Sequence, residues 1–238
     1  MKISITTRTV SNSESSRKGF ASIVFGDHFV IDKVAIVEGK NGLFLSMPTY
    51  KSNSVDENDN PLFYPHCNPI TKEFNESLTK WVIRAYETGQ ALVVNERDAT
   101  LPYSVQVIPV ETSGKKRACV HIYFEESFVV HACVMEGKDG KLFVSMPSYG
   151  ETRGGSKKYF DYCHPITAMF REQQYDEILK IYEAGGNAPV KSGKPASQTS
   201  TTVQPVRPVS GNATASKPVP MSASGFVNAT EEEVPYMV

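Results

Sequence analysis

Apolar and polar positions alternate early in this chain, the mark of strands with one face buried. Ile3 to Val10 forms the first such run, and a polar turn, Ser11 to Lys18, separates it from a second at Phe20 to Phe25. Gly26-Asp27 marks the turn into a third strand, Phe29 to Val37, where Phe29, Ile31, Ala35 and Val37 share a face and Lys33 intervenes. Asn41-Gly42 then closes a hairpin, because these residues accept the positive φ angles of a tight turn. The fourth strand, Leu43 to Met47, ends at Pro48, which has no amide to give a ladder. After a polar loop (51–60) and an aromatic, Pro-flanked approach (61–69), the period changes to 3.6. Phe74, Leu78, Trp81, Val82 and Ala85 make one apolar stripe on a helix capped by Thr71 and stopped by Gly89.

The whole pattern then recurs. Leu43-Phe44-Leu45-Ser46-Met47-Pro48-Thr49-Tyr50 returns 99 residues later as Leu142-Phe143-Val144-Ser145-Met146-Pro147-Ser148-Tyr149. Past the middle loop the offset becomes 96, as Pro69-Ile70-Thr71 against Pro165-Ile166-Thr167 shows. A constant offset with one small change in a loop is a tandem duplication. The second copy predicts strands at Ser104 to Val110, Ala118 to Phe124, Phe128 to Met135 and Leu142 to Met146, and a helix from Thr167 to about Ala184. Its helix has Gln174 where the first has Leu78, and its middle loop is basic (Arg153, Lys157, Lys158) where the first is acidic (Asp56, Glu57, Asp59). The expected organisation is a module at 1–89, a linker at 90–102, a module at 103–186 and a tail at 187–238. Ala91 to Val94 is a candidate short strand within the linker. The Ser/Thr/Pro-rich tail has no periodicity and reads as disordered.

Composition narrows the function. Basic and acidic residues number 10 and 10 in residues 1–90, and 10 and 11 in 101–186, so neither module has the bulk positive charge of a dedicated nucleic-acid binder. Any such contact has to come from a local patch. Four cysteines, Cys67, Cys119, Cys133 and Cys163, form no disulfide framework and fit a reducing compartment. No apolar run reaches the ~20 residues of a membrane span. The chain reads as soluble and cytoplasmic, without membrane or small-molecule partner.

Four strands, a Met-Pro-Ser strand end, a His-Pro-Ile entry and a closing helix together resemble the SpoVG family (stage V sporulation protein G, septation regulator). The residues that carry the likeness are Phe128-Val129-Val130-His131, Leu142 to Ser148 and His164-Pro165-Ile166, with a weaker set at Phe29 to Asp32, Gly42 to Pro48 and Asn68-Pro69-Ile70. The resemblance implies an α+β fold, each module a curved antiparallel sheet of about four strands with a C-terminal helix. It also implies bacterial homodimers that bind DNA or RNA and influence gene expression, sporulation and division. Two modules in one chain are then expected to pair as an intrachain pseudo-dimer, with a further homo-oligomer left open. Family members commonly place two basic residues directly after Met-Pro-Ser. Here Tyr50 and Tyr149 stand first, and only Lys51 maps onto that pair.

The leading binding candidate is the loop Arg153 to Phe160. Its glycines permit close backbone approach, Arg153, Lys157 and Lys158 can contact phosphates, and Tyr159 and Phe160 can stack on unpaired bases. Lys115, Lys116 and Arg117, with Arg17 and Lys18, occupy equivalent positions read as hairpin turns and offer a second basic edge. The adjacent pairs His66-Cys67 and Cys163-His164 lack the spacing of a structural zinc site. No nucleophile, base and orienting group fall in a recognisable order, so neither enzyme activity nor a cofactor is expected. The reading is a nucleic-acid-binding regulator. The alternative is a protein-interaction adaptor that keeps the fold without those contacts.

Overall fold

A computed structural model describes residues 1–11, 15–186 and 190–191. The fold is α+β, in two modules of antiparallel sheet with one helix each. The first comprises β1 (Ile3–Thr9), β2 (Arg17–Phe25), β3 (Phe29–Gly39), β4 (Gly42–Ser46), β5 (Thr49–Val55), β6 (Pro61–Pro65), β7 (Cys67–Pro69) and α1 (Lys72–Thr88). After β8 (Leu92–Val94) the second follows as β9 (Tyr103–Pro109), β10 (Lys116–Phe124), β11 (Phe128–Glu136), β12 (Leu142–Ser145), β13 (Ser148–Arg153), β14 (Ser156–Asp161), β15 (Cys163–Pro165) and α2 (Ala168–Glu183). A last strand, β16 (Val190–Lys191), pairs with β9 as β8 pairs with β1. These two residues of the expected tail therefore belong to the second sheet. The rest of the tail lies outside the described residues.

The short strands β7 and β15 cross between modules. One edge of β3 is covered by β4 only along Ala35 to Gly39, and its first residues, Phe29 to Ile31, pair with β15 of the other module. In return β7 pairs with Phe128 to Val130 of β11. Each exchange extends by one bond at either side: His131 N donates to His66 O and Ile70 N to Ser127 O, mirrored by Asp32 N to Tyr162 O and Ile166 N to His28 O. Both sheet edges are thus satisfied by the partner copy, which removes exposed donors and acceptors. Beneath the crossing lie four fully buried rings, Phe25 and Phe29 with their equivalents Phe124 and Phe128. Phe29 and Phe124 approach to 4.8 Å and Phe25 and Phe128 to 5.2 Å, so one core serves both modules.

The helices close the outer ends of that core. Thr71 Oγ1 accepts the Phe74 amide at 3.3 Å, and Gly89 ends α1 with φ of 64°. Leu78, Val82 and Ala85 are the buried residues of α1; on α2 they are Phe170, Gln174 and Ile178. Neither helix is long and apolar enough to cross a membrane.

The expected face of β3 is corrected at Lys33. That residue has φ of 60° and forms a bulge, with Ala21 opposite Val34 but Ile23 opposite Ile31. Because side chains alternate with period two, one extra residue moves the buried set from Phe29 and Ile31 to Val34 and Ile36. The second module has no bulge in β11 but one more residue in its hairpin turn: Glu38 pairs with Leu43, whereas Glu136 pairs with Leu142. The two shifts cancel, so the 99-residue offset is unchanged on either side of them.

Gln174 is wholly buried, and neither its amide oxygen nor its nitrogen has a hydrogen-bond partner among the described residues. Burying such a group unpaired costs about 1–3 kcal/mol. Replacing it by the leucine of the equivalent position, Gln174→Leu, is expected to raise stability by about that amount. Urea unfolding of the full chain checks this, and a lower midpoint for the variant would contradict it.

Candidate nucleic-acid interface

The stretches read as a polar loop and an aromatic approach form two-stranded ribbons. β5 pairs with β6, and β13 with β14. Each ribbon ends one residue before an exchange strand, and that residue is His66 in the first module and Tyr162 in the second. The amide of each is held by the carbonyl of the proline that directly precedes the ribbon's first strand, His66 N to Pro48 O and Tyr162 N to Pro147 O, both at 2.8 Å. The crossing therefore fixes where both ribbons leave the core.

This arrangement lines up six rings across the pseudo-dyad. In order they are Tyr64, Tyr50, His66, Tyr162, Tyr149 and Phe160, with successive centroids 6.0, 5.1, 5.0, 4.8 and 5.8 Å apart. The row is its own mirror image: Tyr64 corresponds to Phe160, Tyr50 to Tyr149 and His66 to Tyr162. None of the six is buried, and Tyr50 and Tyr64 are 44% and 46% exposed. On the opposite face of each ribbon stands another exposed ring, Phe63 across from Lys51 in one and Tyr159 in the other.

Lys33 reaches this row from the bulge. Its Nζ lies 5.1 Å from the Tyr149 centroid, 5.6 Å from that of Phe20, and 3.5 Å from a Glu151 carboxylate oxygen. Arg17 lies over the same Phe20 ring, 5.4 Å from its centroid. The bulge thus aims a module 1 cation at a module 2 ribbon.

Among the expected site residues, Lys51 is exposed on β5, and Lys157 and Lys158 are exposed on β14, with Lys157 Nζ 5.6 Å from the Tyr159 centroid. Arg153 ends β13, and its side chain lies outside what is described. The second basic edge is placed differently from the expectation. Arg17 and Lys18 open β2, and Lys116 and Arg117 open β10, so they are strand residues and not turn residues; Lys115 directly precedes β10. Lys18 is 2.8 Å from Glu38, and Arg117 is 2.7 Å from Glu136, an equivalent ion pair in each module. Those two cations are already engaged by carboxylates. The structure brings Arg17 toward the ring row through Phe20.

Sequence inspection singled out Tyr159 and Phe160 but missed the row as a unit. The available signal was the recurrence of rings at matching positions of both copies, at 50 and 149, 64 and 160, and 66 and 162.

Cys67 and Cys163 are fully buried beside one another at the crossing, and burial holds the Cys163 thiol well above its usual range. Among the described residues no group of three or more His, Cys, Asp or Glu converges as a metal site.

Comparison with known proteins agrees with the repeat. The sequence pattern of the SpoVG family matches residues 1–88 and again 102–184. The chain belongs to the SpoVG family. Similar proteins include the "Putative septation protein SpoVG" of Staphylococcus saprophyticus, 40% identical over 80 residues, which are 33% of this chain and 75% of that protein. The protein of the same name from Treponema denticola is 40% identical over 73 residues, 31% of this chain and 72% of its own length. That from Staphylococcus carnosus is 34% identical over 97 residues, 40% of this chain and 87% of its own. The first two alignments are each about one module long, so one chain here holds two SpoVG modules.

His66, within the row, adjoins two further imidazoles of module 2, His131 and His121. Burial pushes His66 down to about 4, assisted by the nearby His131. His131 is lowered by burial and by His121, and His121 by burial and by Lys116. Below about pH 6.5 an unfolded histidine takes up a proton that the folded His66 refuses until about pH 4, so stability falls as pH drops through that window. His66→Phe, which keeps a ring between Tyr50 and Tyr162, is expected to flatten the loss measured by thermal unfolding between pH 7 and 4.5. An unchanged pH slope would show that His66 titrates normally.

Proposed function

We propose that this SpoVG-family chain is a non-enzymatic regulator that binds DNA or RNA in the bacterial cytoplasm, acting in gene expression, sporulation or septation. The observation that carries the reading is the β13–β14 ribbon. It projects from the shared core with Lys157 and Lys158 exposed beside the exposed Tyr159, and with Arg153 at its turn. Ammonium groups on such a ribbon can neutralise phosphates and release their counterions, which makes affinity salt-dependent. The septation role named for the relatives is compatible with such an activity. The two modules act as a single intrachain pseudo-dimer, and the exchanged strands favour that arrangement over two independent binding units.

The ribbons differ in charge. The β5–β6 turn carries Asp56, Glu57 and Asp59, and Asp56 accepts from the Asn58 and Asn60 amides, which hold the turn shut and keep its carboxyl below the usual range. Phosphate contact is therefore assigned to β13–β14. Replacing Arg153, Lys157 and Lys158 together by Ala should weaken binding and reduce the log–log salt slope by about 2 to 3, since each lost phosphate contact removes about 0.7 to 0.9. Fluorescence anisotropy with the full chain at several salt concentrations checks this. Binding and slope equal to the parent's would remove the ribbon from the interface.

A further inference from the structure

We infer that the ring row and the flanking exposed rings form a stacking surface for unpaired bases, so that the substrate class is single-stranded nucleic acid and not duplex. The inference rests on the nucleic-acid reading and specifies its substrate.

Charge alone is too sparse here to hold a duplex. A protein that neutralises 6–10 phosphates depends on many cations, and dedicated reading helices are basic. In this chain α1 carries three basic and three acidic residues, and α2 carries two basic and four acidic. Among the described residues the cations around the rings are few: Arg17 over Phe20, Lys33 beside Glu151, Lys51, Lys157 and Lys158, with Arg153 at the turn of β13–β14. Two more, Lys18 and Arg117, are engaged by Glu38 and Glu136.

Rings, in contrast, are abundant. Tyr50, Phe63, Tyr64 and Tyr159 are between 44% and 57% exposed, on two ribbons fixed to one core. Such exposure is costly for an aromatic group with nothing to cover it, whereas a base has a π-face whatever its sequence. The inner rings supply rigidity. His66, Tyr162 and Tyr149 stand 4.8 to 5.0 Å apart, closer than the roughly 7 Å that an inserted base would require from two 3.4 Å stacking steps. Bases therefore stack on the exposed outer rings, and the inner ones hold the two ribbons in register.

The acidic β5–β6 turn does not prevent this. Asp56 follows Tyr50 by six residues, roughly 20 Å along a strand, against a screening length of about 8 Å at physiological salt. Lys158 is two residues from Phe160, within that length. Phosphates are drawn to the second ribbon, while rings on both ribbons remain available to bases.

The test is anisotropy of the full chain with four labelled probes of one length: single-stranded DNA, single-stranded RNA, the DNA duplex, and an abasic DNA strand that keeps the phosphates. The expected result is that at least one base-bearing single strand binds 10-fold or more tighter than both the duplex and the abasic strand. Its salt slope should be shallow, about −2 to −3 for the three or four phosphates these cations can reach. Tyr64→Ala and Tyr159→Ala, at exposed positions, should each weaken that binding roughly 5- to 100-fold. Tyr64→Phe and Tyr159→Phe should restore it. Duplex or abasic probes bound as tightly as the single strands, or alanine variants that bind unchanged, would overturn the stacking surface and leave the phosphate-binding ribbon standing. No binding to any probe at low salt would overturn both readings and favour a protein partner.

Discussion

Everything distinctive in this molecule depends on the reciprocal exchange of two three-residue strands. β7 and β15 are too short to be stable alone, yet each completes the free half of a long strand in the other copy. The cost of ordering them is offset by burial: Cys67 and Cys163 are fully buried and join the same core as the four central phenylalanines. A strand that must leave its own module and land on the other has its entry point dictated. That fixes His66 and Tyr162 against each other, and with them the ribbons that each residue terminates.

Fusion of two copies in one chain releases them from strict symmetry. A homodimer must carry the same substitution twice, but here the ribbons have become acidic in one copy and basic in the other, and the dyad pair has become His and Tyr. The bulge at Lys33 exists only in the first copy and points a cation at Tyr149, a contact for which the second copy has no counterpart in β11. Divergence also left Gln174 in a leucine's place, where its amide is unpaired. The pseudo-dyad is a property of the backbone and the rings; the electrostatics are one-sided.

Much of the fold was legible because the repeat tests each local reading twice. The four long strands, the helix stripes, the Thr71 cap and the Gly89 stop follow from periodicity and capping chemistry. The face of β3 beyond Lys33 was not legible, because a bulge has no residue signature of its own and the hairpin turn at Lys40-Asn41, seven residues on, restores the 99-residue offset. The turn at Glu125-Glu126 is similar: both residues have positive φ without any of the usual turn residues, and take the shape that Gly26-Asp27 takes in the first copy. In sequence the ribbons look like loops, since their exposed strands show no buried face to alternate against. Their pairing, and with it the ring row, is set by the crossing, a long-range constraint that spacing cannot express.

Hydrogen–deuterium exchange of the full chain, resolved over residues 66–70 and 162–166, tests the exchange most directly. Amides here, such as Ile70 N on Ser127 O and Ile166 N on His28 O, should be protected to the same degree as the β3 and β11 strands they lie on, because all of them open together. Rapid exchange in both segments while β2, β3, β10 and β11 stay protected would mean that the two modules fold as separate bodies, and the account built on their crossing would fail.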